Sequence, residues 1–248
     1  MRHALVFLAL STMLTASPGP PDTIRVLSSV AVRPIVEALV PEFERSTGNV
    51  VSRDFGIAAA VSGRIDQGEA FDVAILTPAL LDALAAKGHV ERGPHPIVGR
   101  SGLAFMIKAG AAKPDVSTVA AFTRSVLAAR AITYVSTGAS GIAFLATLER
   151  LGIADAVKAR ARPVTSGDDV NANILSGTAD LAVLPISEIL PVRGAEVGGV
   201  FPSDVQTFVV MAAGVNPRSP HAVAARAFVT YLTDSKNTPV IRASGMER

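Results

Sequence analysis

A unit of strand, short turn of small residues and helix recurs along this chain, and no other feature narrows its possible folds so far. The first instance runs from Thr23 to Thr47. Thr23 to Leu27 alternates and is rich in β-branched residues, Ser28 and Ser29 interrupt it, and Pro34 stands where a helix would begin. The same pattern predicts a strand at Val50 to Phe55 with a helix at Ala58 to Gln67. It then predicts a strand at Phe71 to Leu76, the turn Thr77-Pro78, and a helix at Ala79 to Lys87 that closes on Gly88. Such alternation is what a parallel sheet covered on both faces requires, because each parallel pairing needs a crossover helix.

A second set of units follows an apolar strand at Gly102 to Ile107. It predicts a helix at Val116 to Ala129, a strand at Ile132 to Val135, the turn Ser136 to Gly141 and a helix at Ile142 to Leu151. Strand Arg162 to Val164, turn Ser166 to Asp169, helix Val170 to Leu175, strand Asp180 to Leu184 and turn Pro185 to Glu188 complete the set. Gln206 to Ala213 is a last strand and Pro220 to Thr233 a last helix, apolar at Ala224, Ala227, Phe228 and Leu232. Two sets joined by two strand-like crossings predict an α/β fold of two lobes, each a mainly parallel sheet flanked by helices. Lobe 1 is read as residues 23–105 plus 209–248 and lobe 2 as 106–208. Hinges are expected near Met106 to Lys108 and Gln206 to Val209, with a ligand held between the lobes.

In an open parallel sheet the turn after each strand lies at its carboxyl end, where the free N–H groups of the next helix face a crevice and suit an anion. For any one turn, serines that merely cap a helix are a sufficient account. Composition supports a small polar ligand. The 23 basic and 21 acidic residues leave a formal charge of +2, without a dense basic run or interleaved aromatics, so nucleic acid is not expected as a partner. The absence of Trp and an aromatic content of 5% argue against sugar or base stacking. With no cysteine, disulfides, thiolate chemistry and Cys-type zinc sites are excluded. Residues 1–19 read as a secretory signal peptide and linker: Arg2 and His3, a mostly apolar run from Ala4 to Leu14 too short to span a bilayer, then the breaker-rich SPGPPD. Export to the periplasm is therefore expected.

Catalytic signatures are sparse. Thr137 to Gly141 superficially suggests a nucleophile elbow, but the G-x-S-x-G spacing fails because Gly141 follows Ser140 directly. Asp168 and Asp169 could be a carboxylate pair for acid–base work or metal, yet they fit an N-cap and first helical turn better. Histidines His89, His95 and His221 fall at helix ends or in proline-rich loops and read as surface residues. Neither a phosphate-binding loop nor a dinucleotide fingerprint is present, and no cofactor or metal is expected.

Several segments, IRVLSSVAVRPIVEALVPEFERSTG, GRIDQGEAFDVAIL, GASGIAFLATLERLGI, LPISEILPVRGAEVGGVFPSDVQ and the closing AFVTYLT and SGMER, resemble the periplasmic molybdate-binding protein family and its relatives. These are type II solute-binding proteins of ABC importers, and the resemblance covers the whole mature chain in order. It implies the two-lobed type II fold, a monomer, importer membrane subunits as partners, and a tetrahedral oxyanion held by hydroxyls and backbone N–H groups. Carried over by position, the ligand sites fall at Ala31, at Ala58 or Ala59, near Ser140, at Val170 and at Pro185. Ala31 and Ala58 or Ala59 replace the family's serines, and Pro185 replaces its tyrosine. Hydroxyl donors are thereby lost while backbone donors survive. Ser28, Ser29, Thr77, Ser136, Thr137, Ser140 and Ser187 could supply replacements, and Arg33 could hold a carboxylate.

These departures shift the expected ligand from molybdate or tungstate toward a small organic carboxylate captured for an importer. A different class of function stands beside that reading: some relatives on this scaffold are isomerases of unsaturated tricarboxylates. Such chemistry needs a base near an acidic C–H, and Glu188 and Asp169 are the candidates in suitable turns. A binding module serving a sensor is a third reading.

Overall fold

The computed structural model describes residues 21–248, so the leader read at 1–19 lies outside the described residues. In chain order the strands are β1 (Thr23–Ser29), β2 (Val50–Gly56), β3 (Val73–Leu76), β4 (Ile97–Lys108), β5 (Ile132–Val135), β6 (Ala161–Val164), β7 (Leu181–Pro185), β8 (Ala195–Val200) and β9 (Phe208–Val215). The helices are α1 (Arg33–Thr47), α2 (Ala58–Asp66), α3 (Pro78–Ala86), α4 (Val119–Ala128), α5 (Ala139–Arg150), α6 (Ala154–Lys158), α7 (Gly167–Leu175), α8 (Ile186–Ile189), α9 (Ala222–Thr233) and α10 (Thr238–Ala243).

The first units behave as their pattern predicts. On α1, Ile35, Val36, Leu39, Val40 and Phe43 recur three and four apart and are all buried, and Gly48, at φ 77, ends the helix in the left-handed region. The crossover helices α1 and α2 allow β1 to pair in parallel with both β2 and β3. In the second lobe β5 pairs in parallel with β6 and β7. Antiparallel pairing enters only with the connecting strands. β3 pairs antiparallel with β9, and β4 pairs antiparallel with β9, β7 and β8. β4 and β9, which pass between the lobes, run against the strands they pair with.

β4 carries both lobes. Its residues from Ile97 to Gly102 pair with β9, whereas from Leu103 onward it pairs with β7 and β8. The change of partner falls at Gly102/Leu103, a few residues before the boundary read at 105/106. The second crossing, between β8 and β9, is fastened there by one side chain. Gln206 Oε1 accepts the Leu103 N–H at 2.8 Å, while its Nε2 donates to the Leu103 carbonyl at 3.1 Å. The apolar core follows this division. Leu27, Val61, Ile65, Leu81 and Leu84 fill one side of lobe 1, and Met106, Val170, Ile174 and Leu184 one side of lobe 2. The phenylalanine cluster Phe105, Phe122 and Phe201 fills the other side of lobe 2, with ring centroids 4.8 to 5.4 Å apart.

Several local readings differ from the structure: α5 and α7 start at Ala139 and Gly167, three residues before the helices expected from Ile142 and Val170, and the turn read at Pro185 to Glu188 is largely helix α8. β8 was not predicted because glycines at 198 and 199 depress strand propensity. They are nonetheless required, since a Cβ on Gly198 would stand 2.7 Å from Ile107 Cγ2 and one on Gly199 2.6 Å from Val116 Cγ2. Helix α4 begins at Val119, not Val116, because Asp115 accepts the Ser117 N–H at 3.0 Å in a turn and Thr118 caps the helix through the Ala121 N–H. The strand expected from Gly102 starts at Ile97, its first half being held by β9.

Candidate functional site

Where the two lobes face one another, a cavity of about 40 Å³ is lined from lobe 1 by Ser29, Val30, Ala31, Ile57, Ala58, Val209 and Met211. Lobe 2 supplies Val135, Gly138, Ala139, Ser140, Gly167, Pro185 and Glu188. These are helix beginnings: α2, α5 and α7 start here, with the short α8 and the turn before α1. Ile57 and Gly138 precede α2 and α5 without a side-chain cap, which leaves first-turn N–H groups without a local acceptor. Several partial positive charges therefore converge on one small volume. Ser29 Oγ accepts the Ala31 N–H at 3.3 Å, so its proton is available to a ligand. At about one probe sphere of ~10–15 Å³ per water, the cavity holds one carboxylate or one tetrahedral oxyanion.

The close approach of α5 explains how the cavity stays this tight. A Cβ on Gly141 would lie 2.0 Å from the Val135 carbonyl oxygen, so only glycine lets the helix start directly against the end of β5.

The cavity opens into a larger groove of about 560 Å³, with which it shares Val30, Ile57, Gly167 and Glu188. Arg33, Glu37, Phe55, Asp168, Asn171 and Ser187 also line the groove. The Arg33 guanidinium lies 4.7 Å over the Phe55 ring, a contact that holds it flat without neutralising it. Two enclosed polar atoms here, Asn171 Oδ1 and Ser187 Oγ, have no hydrogen-bond partner among the described residues. Buried polar atoms are ordinarily satisfied, and both are therefore suited to a bound molecule or ordered water.

Glu188 stands at the junction. The residue keeps partial exposure to the cleft, but its carboxyl is packed round by protein, and the loss of hydration pushes it up from 4.5 to about 7. Among the described residues no basic side chain forms an ion pair with it. Among the described residues it is the one charged side chain on the inner cavity, and near neutral pH it exchanges readily between acid and base.

The residues singled out from sequence divide into two groups. Ser29, Ala31, Ala58, Ser140, Pro185 and Glu188 come together on the inner cavity, with Arg33 and Ser187 on the adjoining groove. The others lie elsewhere. Ser28 is fully buried and donates to the Ser29 carbonyl. Val170 is in the lobe 2 core, Ala59 and Thr137 are exposed, and Thr77 precedes α3 outside the lining. Asp169 is engaged in capping α7: Ser166 Oγ donates to its carboxylate at 2.7 Å and accepts its N–H at 3.1 Å. Residues not singled out are Val209 and Met211 on β9, Ile57, Gly138, Gly167 and Asn171. Gly138 lay within a turn already marked as suited to an anion, but nothing local distinguishes Asn171.

Residues 24–247 match the family model described as bacterial extracellular solute-binding protein. An aconitate isomerase from Pseudomonas sp. is 30% identical over 253 residues, covering 97% of this chain and 95% of that relative. Among solved structures, the periplasmic molybdate-binding protein of Azotobacter vinelandii superposes with a TM-score of 0.76 at 20% identity, covering 91% of this chain and 99% of that one. The sulfate-binding protein SubI of Mycobacterium tuberculosis H37Rv gives 0.75 at 16% identity, covering 91% and 86%. Both structures share the fold of two α/β lobes. The chain belongs to the bacterial extracellular solute-binding protein family.

Proposed function

We propose that the protein binds an unsaturated tricarboxylate of the aconitate type between its lobes and shifts the ligand's carbon–carbon double bond, with Glu188 carrying the proton. The observation that carries this reading is the Glu188 carboxyl: enclosed, without an ion-pair partner, held near neutrality, and open to both compartments of the cleft. A receptor that only captures an anion gains nothing from a carboxyl there, because two like charges in a desolvated site repel. A proton-transfer catalyst does gain, since a group poised near the working pH serves as base and then as acid.

The inner cavity accommodates one carboxylate among the N–H groups of α2 and α5, and the rest of the ligand extends into the groove toward Arg33. Ionised Glu188 removes a proton from the ligand's methylene carbon. The C–H electron pair forms the new double bond as the old one opens, and the negative charge passes onto the carboxylate facing the helix starts. Protonated Glu188 then returns the proton to the far allylic carbon. One C–H bond is broken and one is made, so no net oxidation or proton uptake occurs. The full-length similarity to an aconitate isomerase supports the same reading.

A second reading, capture of a carboxylate for delivery to an ABC importer in the periplasm, is favoured by the family's solute-binding character and by the converging helix starts. Under either reading molybdate binds weakly. Ala31, Ala58 and Pro185 offer no hydroxyl, and each missing donor to a desolvated oxyanion costs about 1 kcal/mol or more. The test is trans-aconitate in D2O followed by proton NMR, with calorimetry on aconitate, citrate, molybdate and tungstate. The expected result is conversion to the cis isomer, with deuterium incorporated only as far as the proton on Glu188 exchanges with solvent before its return, and with conversion abolished in Glu188→Gln while binding persists. Tight aconitate binding without conversion overturns the isomerase in favour of the receptor, and submicromolar molybdate binding overturns the carboxylate preference.

A further inference from the structure

Glu188 sits on a helix of only four residues, too short to orient a side chain by itself, and its neighbours show what holds it. Pro185, which precedes α8, provides no side-chain cap. The cap comes instead from a distant strand. Ser101 on β4 is fully enclosed, and its Oγ accepts the Ser187 N–H at 3.1 Å while donating to the Gly245 carbonyl at 2.8 Å. One hydroxyl thus ties the start of α8 to the carboxy-terminal segment.

That segment is itself anchored to β4. The Arg100 N–H donates to the Glu247 carbonyl at 2.7 Å, the Glu247 N–H donates back at 2.8 Å, and the Arg100 Nε lies 3.1 Å from the Glu247 carboxylate. Between these fixed points Gly245 presses on α8. At φ 73, a Cβ there would meet Ile186 Cγ2 at 2.8 Å, Leu190 Cδ1 at 2.9 Å and the Ser187 nitrogen at 3.1 Å. Ser101 pairs with Val209 in lobe 1 and immediately precedes the Gly102/Leu103 change of partner, whereas α8 belongs to lobe 2. The contact therefore crosses between the lobes beside the hinge.

We propose that Ser101, through the Ser187 N–H, and the turn at Gly245 act as a latch that positions Glu188 in the cleft. The proposal rests on the reading that Glu188 acts on the ligand, and Ser101 is a positioning residue that touches no reacting atom. Without the hydroxyl, the first turn of α8 loses its external acceptor and is free to tilt. Glu188 then reaches water, and its enclosure, the source of its raised proton affinity, is lost. The other charged groups lining the cleft beside Glu188 are Arg33, Glu37 and Asp168. Ser101→Ala alters none of them.

The full-length chain, labelled with carbon-13 at glutamate carboxyls, is titrated by NMR, the Glu188 signal being identified by its absence from Glu188→Gln. In Ser101→Ala the Glu188 midpoint falls toward the ordinary carboxyl value by about one pH unit or more. In the aconitate assay the same variant loses about tenfold or more in kcat with KM within ~2-fold, because a small displacement of a reacting group acts on the chemical step. Its kcat–pH profile moves with the midpoint, and Ser101→Thr restores both. An unchanged midpoint and profile in folded Ser101→Ala overturn the latch. Should the wild type turn over no aconitate, the isomerase reading fails, while the carboxyl titration still decides the latch. If Ser101→Ala does not fold, Gly245→Ala displaces α8 from the other side and is read by the same titration, an unchanged midpoint again counting against the latch.

Discussion

Replacing Glu188 by Gln keeps the shape of the side chain and removes its charge, so the cost of enclosing that charge can be measured against pH. Burial raises the carboxyl from 4.5 to about 7. At ~1.4 kcal/mol for each tenfold change in proton affinity, the rise corresponds to on the order of 3 kcal/mol. Its sign is set by which state binds the proton more tightly, and here that is the folded one. The wild type is therefore unpenalised below pH 4.5, loses stability between pH 4.5 and about 7, and bears the full cost above that. Glu188→Gln has no such dependence. Without ligand, the two proteins should melt close together at pH 4.5. At pH 8 the variant should be the more stable, by up to ~3 kcal/mol, or roughly 6–12 °C for a chain of this size. Partial exposure of the residue to the cleft trims the gap toward the lower figure. Scanning calorimetry of both proteins across pH 4.5–8 supplies the measurement, and every other carboxyl cancels in the difference. A gap that does not widen with pH, or a variant less stable at pH 8, would refute the claim that Glu188 is ionised at a cost in the folded cleft.

Further outcomes follow from packing at particular positions. Gly141→Ala forces α5 away from the Val135 carbonyl, 2.0 Å from the added Cβ, and should cost roughly 2–4 kcal/mol and abolish ligand binding, as calorimetry and chemical denaturation would show. Phe105→Ala removes a ring that contacts both Phe122 and Phe201 in the lobe 2 aromatic cluster and should cost about 3–5 kcal/mol, read from the denaturation midpoint; a loss below 1 kcal/mol would mean that the cluster collapses to fill the space. Gln206→Ala removes the side chain that bridges both polar groups of Leu103, and should raise amide hydrogen exchange at the Gly102/Leu103 change of partner more than in either lobe. Two lobes joined by two strand crossings are expected to hinge and to close on the ligand. Scattering should show compaction on adding aconitate, and an unchanged radius would count against hinge closure.

The order and type of the main elements were legible in the chain because they rest on local physics. Period, turn residues and caps act within a few positions, as in the apolar stripe of α1, the left-handed Gly48 and the acids Asp168 and Asp169 in the first turn of α7. The convergence of helix starts was legible too, because a turn after a parallel strand lies at one edge of the sheet wherever it occurs. What required the tertiary structure was everything set by partners far along the chain. Ser28 and Ser29 are adjacent and alike in sequence, yet the direction of one strand residue turns the first into the core and leaves the second on the cavity. Gly198 and Gly199 look like strand breakers until Ile107 and Val116 are seen against them. Asp169 and Glu188 were equal candidates as a base. They were separated by environment, one hydrogen-bonded at an exposed cap, the other partly desolvated where the lobes meet, and desolvation is a property of all the surrounding atoms. The bond from Ser101 to Ser187 spans 86 positions, and no local pattern encodes a contact that exists only once both lobes have folded around it.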